Sequence, residues 1–346
     1  MTPLRILVVS EGVPGHDRSS LGIVAAIERH RTVATLLLPV KETRRGSRRV
    51  KRMLARVLPF SVFWRSFYDI GDRINAANPI ARTNAIPEGS FDLVLSTGPA
   101  TAAANIALAR HFGAKNIYFG FPQWPVTGAF TLLLCPAAAG RHPNVAYALR
   151  PSELDATTLP KPRPLIFDAP RNAAILIGGD TKHYRYTEAD FRLLAERIVA
   201  VSRDLPQLRW TVFDSRRTPE KPFAAFVQFV AASGAPVDVV SYAAGGLLSN
   251  KQAFESDLLL VTADSMSMIS EAIAGGRPTG VIFPEDYSAP KRDAREHATL
   301  LSQRRLFRLS FSDLSKENLA AGAAALALVD GSELDRLYAT IMRHGI

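Results

Sequence analysis

Apolar residues in this chain fall into short unbroken runs, each closed by a polar or glycine turn and followed by a stretch of helical period. Arg5–Ser10, Val33–Leu38, Leu93–Ser96, Asn116–Phe119 and Leu132–Cys135 read as strands, with helices over Leu21–Arg31 and Ala100–Phe112. The alternation restarts with strands at Ala173–Ile177, Trp210–Asp214, Val237–Ser241 and Leu258–Thr262. Helices are expected over Glu188–Asp204, Phe223–Ser233 and Met266–Ala274, and Leu314–Leu328 and Glu333–Arg343 read as closing helices. Continuously apolar strands are buried on both faces, which parallel sheets covered by helices provide. The pattern therefore predicts an α/β protein of two Rossmann-like, doubly wound domains facing a central cleft. Their expected bounds are residues 1–160 and 171–330, with 331–346 packing back on the N-terminal domain. Five prolines between Pro151 and Pro170 mark a linker, because proline removes donors that helices and central strands need.

With 346 residues, 47% of them hydrophobic, the chain is long enough for two cores. No apolar run approaches the roughly 20 residues that cross a bilayer. The start lacks the charged, apolar and cleavage regions of a secretory signal, and the single cysteine, Cys135, has no internal disulfide partner. A cytoplasmic setting is expected.

Charge changes the picture. Of the net +10, the segment from Lys41 to Arg65 carries nine basic residues against Glu42, a net of +8. Val50, Met53, Leu54, Val57 and Leu58 share one helical face, and Phe60, Phe63, Trp64, Phe67 and Tyr68 repeat that spacing after Pro59. A basic, amphipathic, aromatic pair of helices suits an anionic membrane surface, so residues 41–68 are expected to hold the protein peripherally on a membrane. The alternative is a helix pair packed on its own domain with a solvated charged face. No nucleic-acid motif accompanies the charge, so nucleic acid is not an expected partner.

Candidate chemistry sits where strands end. Ser10-Glu11-Gly12-Val13-Pro14-Gly15-His16-Asp17 follows the first strand, and it lacks the G-x-G-x-x-G spacing of a dinucleotide fold. His16 or Asp17 could serve there as general base, or simply cap and pack the turn. Ser96-Thr97-Gly98-Pro99 repeats the design, and the aromatic loop Phe119–Pro125 could meet an acceptor or pack. Ile177-Gly178-Gly179-Asp180 opens the second half with two glycines that permit close approach of a phosphate. Ala263-Asp264-Ser265 leads into a short helix carrying Glu271, an arrangement that offers free N–H groups and a helix dipole to an anion. Capping of that helix by Asp264, Ser265 or Ser267 is the plainer expectation, and the two uses are compatible. No D-x-D and no metal-ligand spacing occurs, so no metal site is expected.

Together PGH in the first loop, LSTGPATA at Leu95–Ala102, ILIGGD at Ile175–Asp180 and VTADSMSMISEA at Val261–Ala272 resemble the mitochondrial-fission ELM-type family of plant and bacterial proteins, read as glycosyltransferases. More distantly, the order of loops is similar to MurG and lipid A disaccharide synthase, GT-B glycosyltransferases acting on membrane-borne acceptors. The resemblance implies a nucleotide-sugar donor as substrate, no separate cofactor, and a donor site in the C-terminal domain. It implies that Ser265, Met266 and Ser267 offer N–H groups to the diphosphate, Glu271 holds the ribose, Gly178 and Gly179 face the donor, and Tyr242 lies near the base. His16 would be the catalytic base, with Asp17 the alternative. The expected activity is metal-independent, inverting transfer of a sugar to a lipid-linked or lipopolysaccharide acceptor of the cell envelope, on the cytoplasmic face of the inner membrane. A sugar-nucleotide epimerase and a non-catalytic membrane-associated adaptor are the alternatives.

Overall fold

The computed structural model describes residues 2–71, 80–137, 142–165, 169, 171–242, 252–328 and 330–346. The chain forms two compact units: Met1–Glu153 together with Glu333–Ile346, and Leu154–Ser332.

In the first unit the strands are β1 (Leu4–Ser10), β2 (Val33–Glu42), β3 (Tyr68–Ile70), β4 (Leu93–Thr97), β5 (Lys115–Phe119), β6 (Leu132–Cys135) and β7 (Val145–Tyr147). They lie in the order β3-β2-β1-β4-β5-β6-β7, parallel except for β3 on β2. Alternation along β1 sends Leu7 and Val9 into one core and Ile6 and Val8 into the other, so the strand is apolar without a break from Ile6 to Val9. The helices are α1 (Pro14–Glu28), α2 (Arg48–Leu54), α3 (Phe60–Phe67) and α4 (Ala102–Phe112). The last helix of the chain, Glu333–Arg343, lies in this unit against α1. There Tyr338 stacks on His30 with centroids 4.0 Å apart, and Asp335 accepts from Arg29 and His30.

The second unit holds β8 (Arg171–Leu176), α5 (Glu188–Asp204), β9 (Leu208–Phe213), α6 (Glu220–Ser233), β10 (Val237–Val240), β11 (Leu258–Thr262), α7 (Met266–Ala274), β12 (Thr279–Phe283), α8 (Lys291–Ser302), β13 (Phe307–Ser310) and α9 (Lys316–Ala324). The Glu333–Arg343 helix is α10, the last of the described α-helices. The sheet is parallel, in the order β10-β9-β8-β11-β12-β13.

Three expectations change. The proline-rich stretch is no free linker where it is described: Arg163 clasps the Asp257 carboxylate through both its backbone N–H and its guanidinium. The buried Arg277 donates to the carbonyls of Pro160 and Ser256, which binds the stretch to the second unit (Pro170 lies outside the described residues). The second strand is longer than Val33–Leu38, because β2 runs on to Glu42. Finally, α2 buries a different face from the one its apolar spacing indicates. Lys51 and Ala55 are enclosed, whereas Val50, Met53 and Val57 are exposed. The reason is a buried ion pair: Lys51 reaches Glu42 at 3.1 Å and the Thr43 carbonyl at 2.5 Å.

Candidate active site

In a doubly wound sheet, ligands gather beyond the carboxyl ends of the strands where the winding reverses direction. The strand order reverses between β1 and β4 in the first unit and between β8 and β11 in the second. The glycine- and serine-bearing loops picked out along the sequence leave these four strands, whereas the aromatic loop Phe119–Pro125 follows β5. Tyr242 also lies apart: it follows edge strand β10, two strands from β8, with its N–H bonded to the Asp214 carboxylate.

In the first unit, α1 starts earlier than its apolar period suggests, at Pro14, whose fixed φ suits a first helical position. His16 and Asp17 therefore lie in its first turn and point differently. His16 is about one-third exposed, and its Nδ1 is hydrogen-bonded to Oε1 of Glu11. The other Glu11 oxygen accepts the N–H of Ala100 at 3.0 Å. Gly98, at φ +104°, is required here, since a Cβ would overlap both the Glu11 carboxylate and the His16 ring. A carboxylate on Nδ1 fixes the ring and leaves Nε2 as the nitrogen able to take a proton.

Asp17 is withdrawn as a candidate base. It is only 4% exposed, and its Oδ1 accepts the Ser10 hydroxyl at 2.6 Å. Burial pushes its carboxyl above the ordinary range, against the opposing Ser10 bond and the charge of His16. The sequence reading passed over Glu11. The signal was present, a carboxylate five residues before His16 at the same strand end, but only the turn of α1 brings the two together.

In the second unit the hub is Asp264, whose side chain is fully enclosed. Its Oδ1 accepts from Tyr186 at 2.9 Å and Thr262 at 2.8 Å, and its Oδ2 from the Gly179 N–H at 3.0 Å and Arg217 at 2.9 Å. Desolvation raises its pKa, while the Arg217 charge and these hydrogen bonds oppose the rise. The same burial, with the Asp264 charge, raises the Tyr186 phenol far above its usual value. Asp264 thus neither caps α7 nor faces outward; all four of its contacts are internal.

The two glycines are corrected as well. The Gly178 N–H is taken by Thr262 at 2.7 Å and that of Gly179 by Asp264, so neither is left for a phosphate. What requires glycine is protein packing: a Cβ on Gly178 would overlap the Asp264 carboxylate, and one on Gly179 the Arg217 carbonyl. The Gly178 carbonyl is in turn held by Ser215 and Thr218.

Ser265 sits at the N-cap of α7 but makes no capping hydrogen bond through its side chain. No side chain therefore occupies the first turn's N–H groups, which belong to Met266, Ser267 and Met268. Glu271 lies on the second turn of α7 and is half-buried. Arg217, missed in the sequence, stands beside this turn, paired with Asp264 and 38% exposed. Its position after β9 follows the same strand-end logic as the other loops. Among the described residues no group of three or more His, Cys, Asp or Glu is placed to hold a metal ion, and no helix is long and apolar enough to cross a membrane.

Two parallel, doubly wound sheets with polar turns at their reversals define a protein of GT-B type, built from two Rossmann-like domains. The chain belongs to the mitochondrial fission ELM1 family, whose model matches residues 14–327. Among solved structures it is similar to a Listeria monocytogenes protein assigned as a UDP-N-acetylglucosamine 2-epimerase. That similarity has a TM-score of 0.54 and 14% identity, over 99% of this chain and 97% of that one. It is also similar to the Neisseria meningitidis UDP-GlcNAc 2-epimerase bound to UDP-GlcNAc, at a TM-score of 0.51 and 12% identity over 99% of both chains. No curated protein matches the chain in sequence.

Proposed function

We propose that this protein is a nucleotide-sugar-dependent glycosyltransferase of inverting mechanism that needs no metal ion and acts on a lipid-linked or lipopolysaccharide acceptor at a membrane. The observation that carries the reading is the uncapped N-terminus of α7 at the sheet reversal, with the Arg217 cation beside it and Glu271 on the same helix. Free N–H groups and a helix dipole stabilise a leaving diphosphate as its charge develops. In this reading Met266 and Ser267 offer N–H groups to the diphosphate, the Ser265 N–H being held instead by the Thr262 carbonyl at 3.3 Å, while Glu271 holds the ribose hydroxyls and Tyr242 lies toward the base. Gly178, Gly179 and Asp264 keep the turn in shape rather than touching phosphate. His16 takes the acceptor hydroxyl proton on Nε2 while Glu11 steadies the ring. The acceptor oxygen bonds to the anomeric carbon, and the carbon–phosphate-oxygen bond breaks, its electron pair leaving with the diphosphate. Residues 41–68 meet an anionic membrane surface, where such an acceptor resides.

A second reading, sugar-nucleotide epimerisation, is favoured by the Neisseria structure, an epimerase bound to UDP-GlcNAc. It needs no acceptor. A thermal-shift panel of nucleotide-sugars tests both, since a ligand of the folded state raises the melting temperature by mass action. A shift with at least one nucleotide-sugar is expected, and none at millimolar concentration would refute both readings. Proton NMR of the binding sugar then separates them: release of free nucleoside diphosphate only with acceptor marks transfer, and conversion to a second sugar-nucleotide marks epimerisation.

A further inference from the structure

The exposed face of α2 and α3 continues onto a loop distant in sequence. Trp124, between β5 and β6, is 65% exposed, and its ring lies under the Arg49 guanidinium with 4.1 Å between carbon and centroid. Next to it Arg52 donates to Gln123. On the same two helices and the turn that joins them Val50, Met53, Val57 and Val62 are 44%, 49%, 69% and 49% exposed, interspersed with exposed Arg48, Arg49, Arg56 and Arg65. The opposite side is fixed. Arg110 holds the Ala55 and Leu58 carbonyls, Phe60 stacks on His111 at 4.1 Å, and Phe63 and Trp64 lie in the core. The outward apolar groups are therefore presented by an anchored scaffold.

We infer that this composite surface docks in the headgroup layer of an anionic bilayer, with Trp124 and the exposed Val and Met side chains inserted and the arginines on lipid phosphates. The inference rests on the reading above that residues 41–68 meet a membrane, and it adds the inserting residues and a second chain segment. Charge complementarity selects the occupant: a net +8 over Lys41–Arg65 calls for a polyanion. The exposed apolar groups decide between polyanions. A nucleic acid would set phosphates against Val57, Val62 and Met53, whereas a bilayer interface takes both arginine and an indole beside aliphatic groups. The surface also joins the reactive end of its unit. Tyr68, which follows α3 directly, donates to the Ala100 carbonyl at 2.7 Å, and the Ala100 N–H holds Glu11.

The test is flotation of the full chain with phosphatidylcholine vesicles and with vesicles containing phosphatidylglycerol, alongside quenching of tryptophan fluorescence by brominated lipid. The other two tryptophans, Trp64 and Trp210, are buried, so quenching reports Trp124. Flotation is expected only with anionic vesicles, accompanied by quenching. The double variant Arg49→Glu/Arg56→Glu should partition more than about tenfold more weakly, since each reversed charge repels acidic lipid. Trp124→Ala should lower partitioning and abolish quenching, with its melting temperature checked to exclude misfolding. Anionic flotation without quenching would overturn insertion while leaving the membrane reading intact. No flotation with either vesicle would overturn both and favour a protein partner. Nucleotide-sugar thermal shifts are measured separately, so failure of the donor site does not imitate either result.

Discussion

Replacing Asp264 with alanine removes one acceptor group from four donors. Arg217 is 38% exposed and turns to water, so its pair is worth only about 0–1 kcal/mol. Thr262 retains a long contact, 3.5 Å, to the Leu176 carbonyl. The Gly179 N–H and the Tyr186 hydroxyl are left without an acceptor, and a buried unsatisfied donor costs about 1–3 kcal/mol each. The expected loss is therefore roughly 2–6 kcal/mol, a large part of the roughly 5–15 kcal/mol that holds a domain folded. Asp264→Asn should be milder, about 1–2 kcal/mol. Its oxygen can face Gly179 and Arg217, while its amide faces two hydroxyls able to accept. Urea midpoints give the total, and hydrogen exchange over residues 171–180 and 258–265 localises it to the second unit. Both variants should also weaken nucleotide-sugar binding, because the turn before α7 loses its brace. An Ala variant within about 0.5 kcal/mol of the native chain, the range of an inert surface change, would refute the reasoning.

The remaining predictions concern the first unit and the acid range. His16→Ala should lower turnover by about 10²–10⁴, the usual worth of a positioned base, in a nucleoside diphosphate release assay. Glu11→Gln, which keeps shape but not charge, should lower turnover by less, with little change in donor binding. Burial raises the folded-state pKa of Asp17, so the folded chain binds more protons than the unfolded one between the ordinary carboxylate value and the raised value. Native stability should therefore fall relative to Asp17→Asn as pH rises through that window, which melting temperatures across the pH range will read. Asp257 behaves oppositely: burial pushes its pKa up, but the Arg163 guanidinium and the Arg163 and Asn172 N–H groups together hold it below the ordinary value. Its contribution is full above the ordinary carboxylate value and is lost as pH falls through the lowered one, so Asp257→Asn should differ from native at neutral pH and converge with it in acid.

Much of this was legible along the chain because strands and helices are local. The unbroken apolar run Ile6–Val9 can bury both faces only inside a parallel sheet, and β1 lies there. The segment Met266–Ala274 forms the helix its period implies. The second edge of the lower-numbered sheet was harder: β7, Val145–Tyr147, is only three residues long and carries no periodic signal. The α2 face was misjudged for a related reason. Apolar spacing cannot anticipate that Glu42, six residues before the helix, pulls Lys51 inward and turns Val50 and Met53 out.

The chain's linear pattern determined that strands alternate with helices and that polar turns follow the strands, because those properties depend on neighbours within a few residues. Tertiary structure alone decided which of those polar groups remain available. Glu11 meets His16, Asp264 turns inward to Tyr186, and the amides of Gly178 and Gly179 are spent on Thr262 and Asp264. A hydrogen bond depends on position in space, and the partners that satisfied Gly178 and Gly179 come from more than 80 residues away.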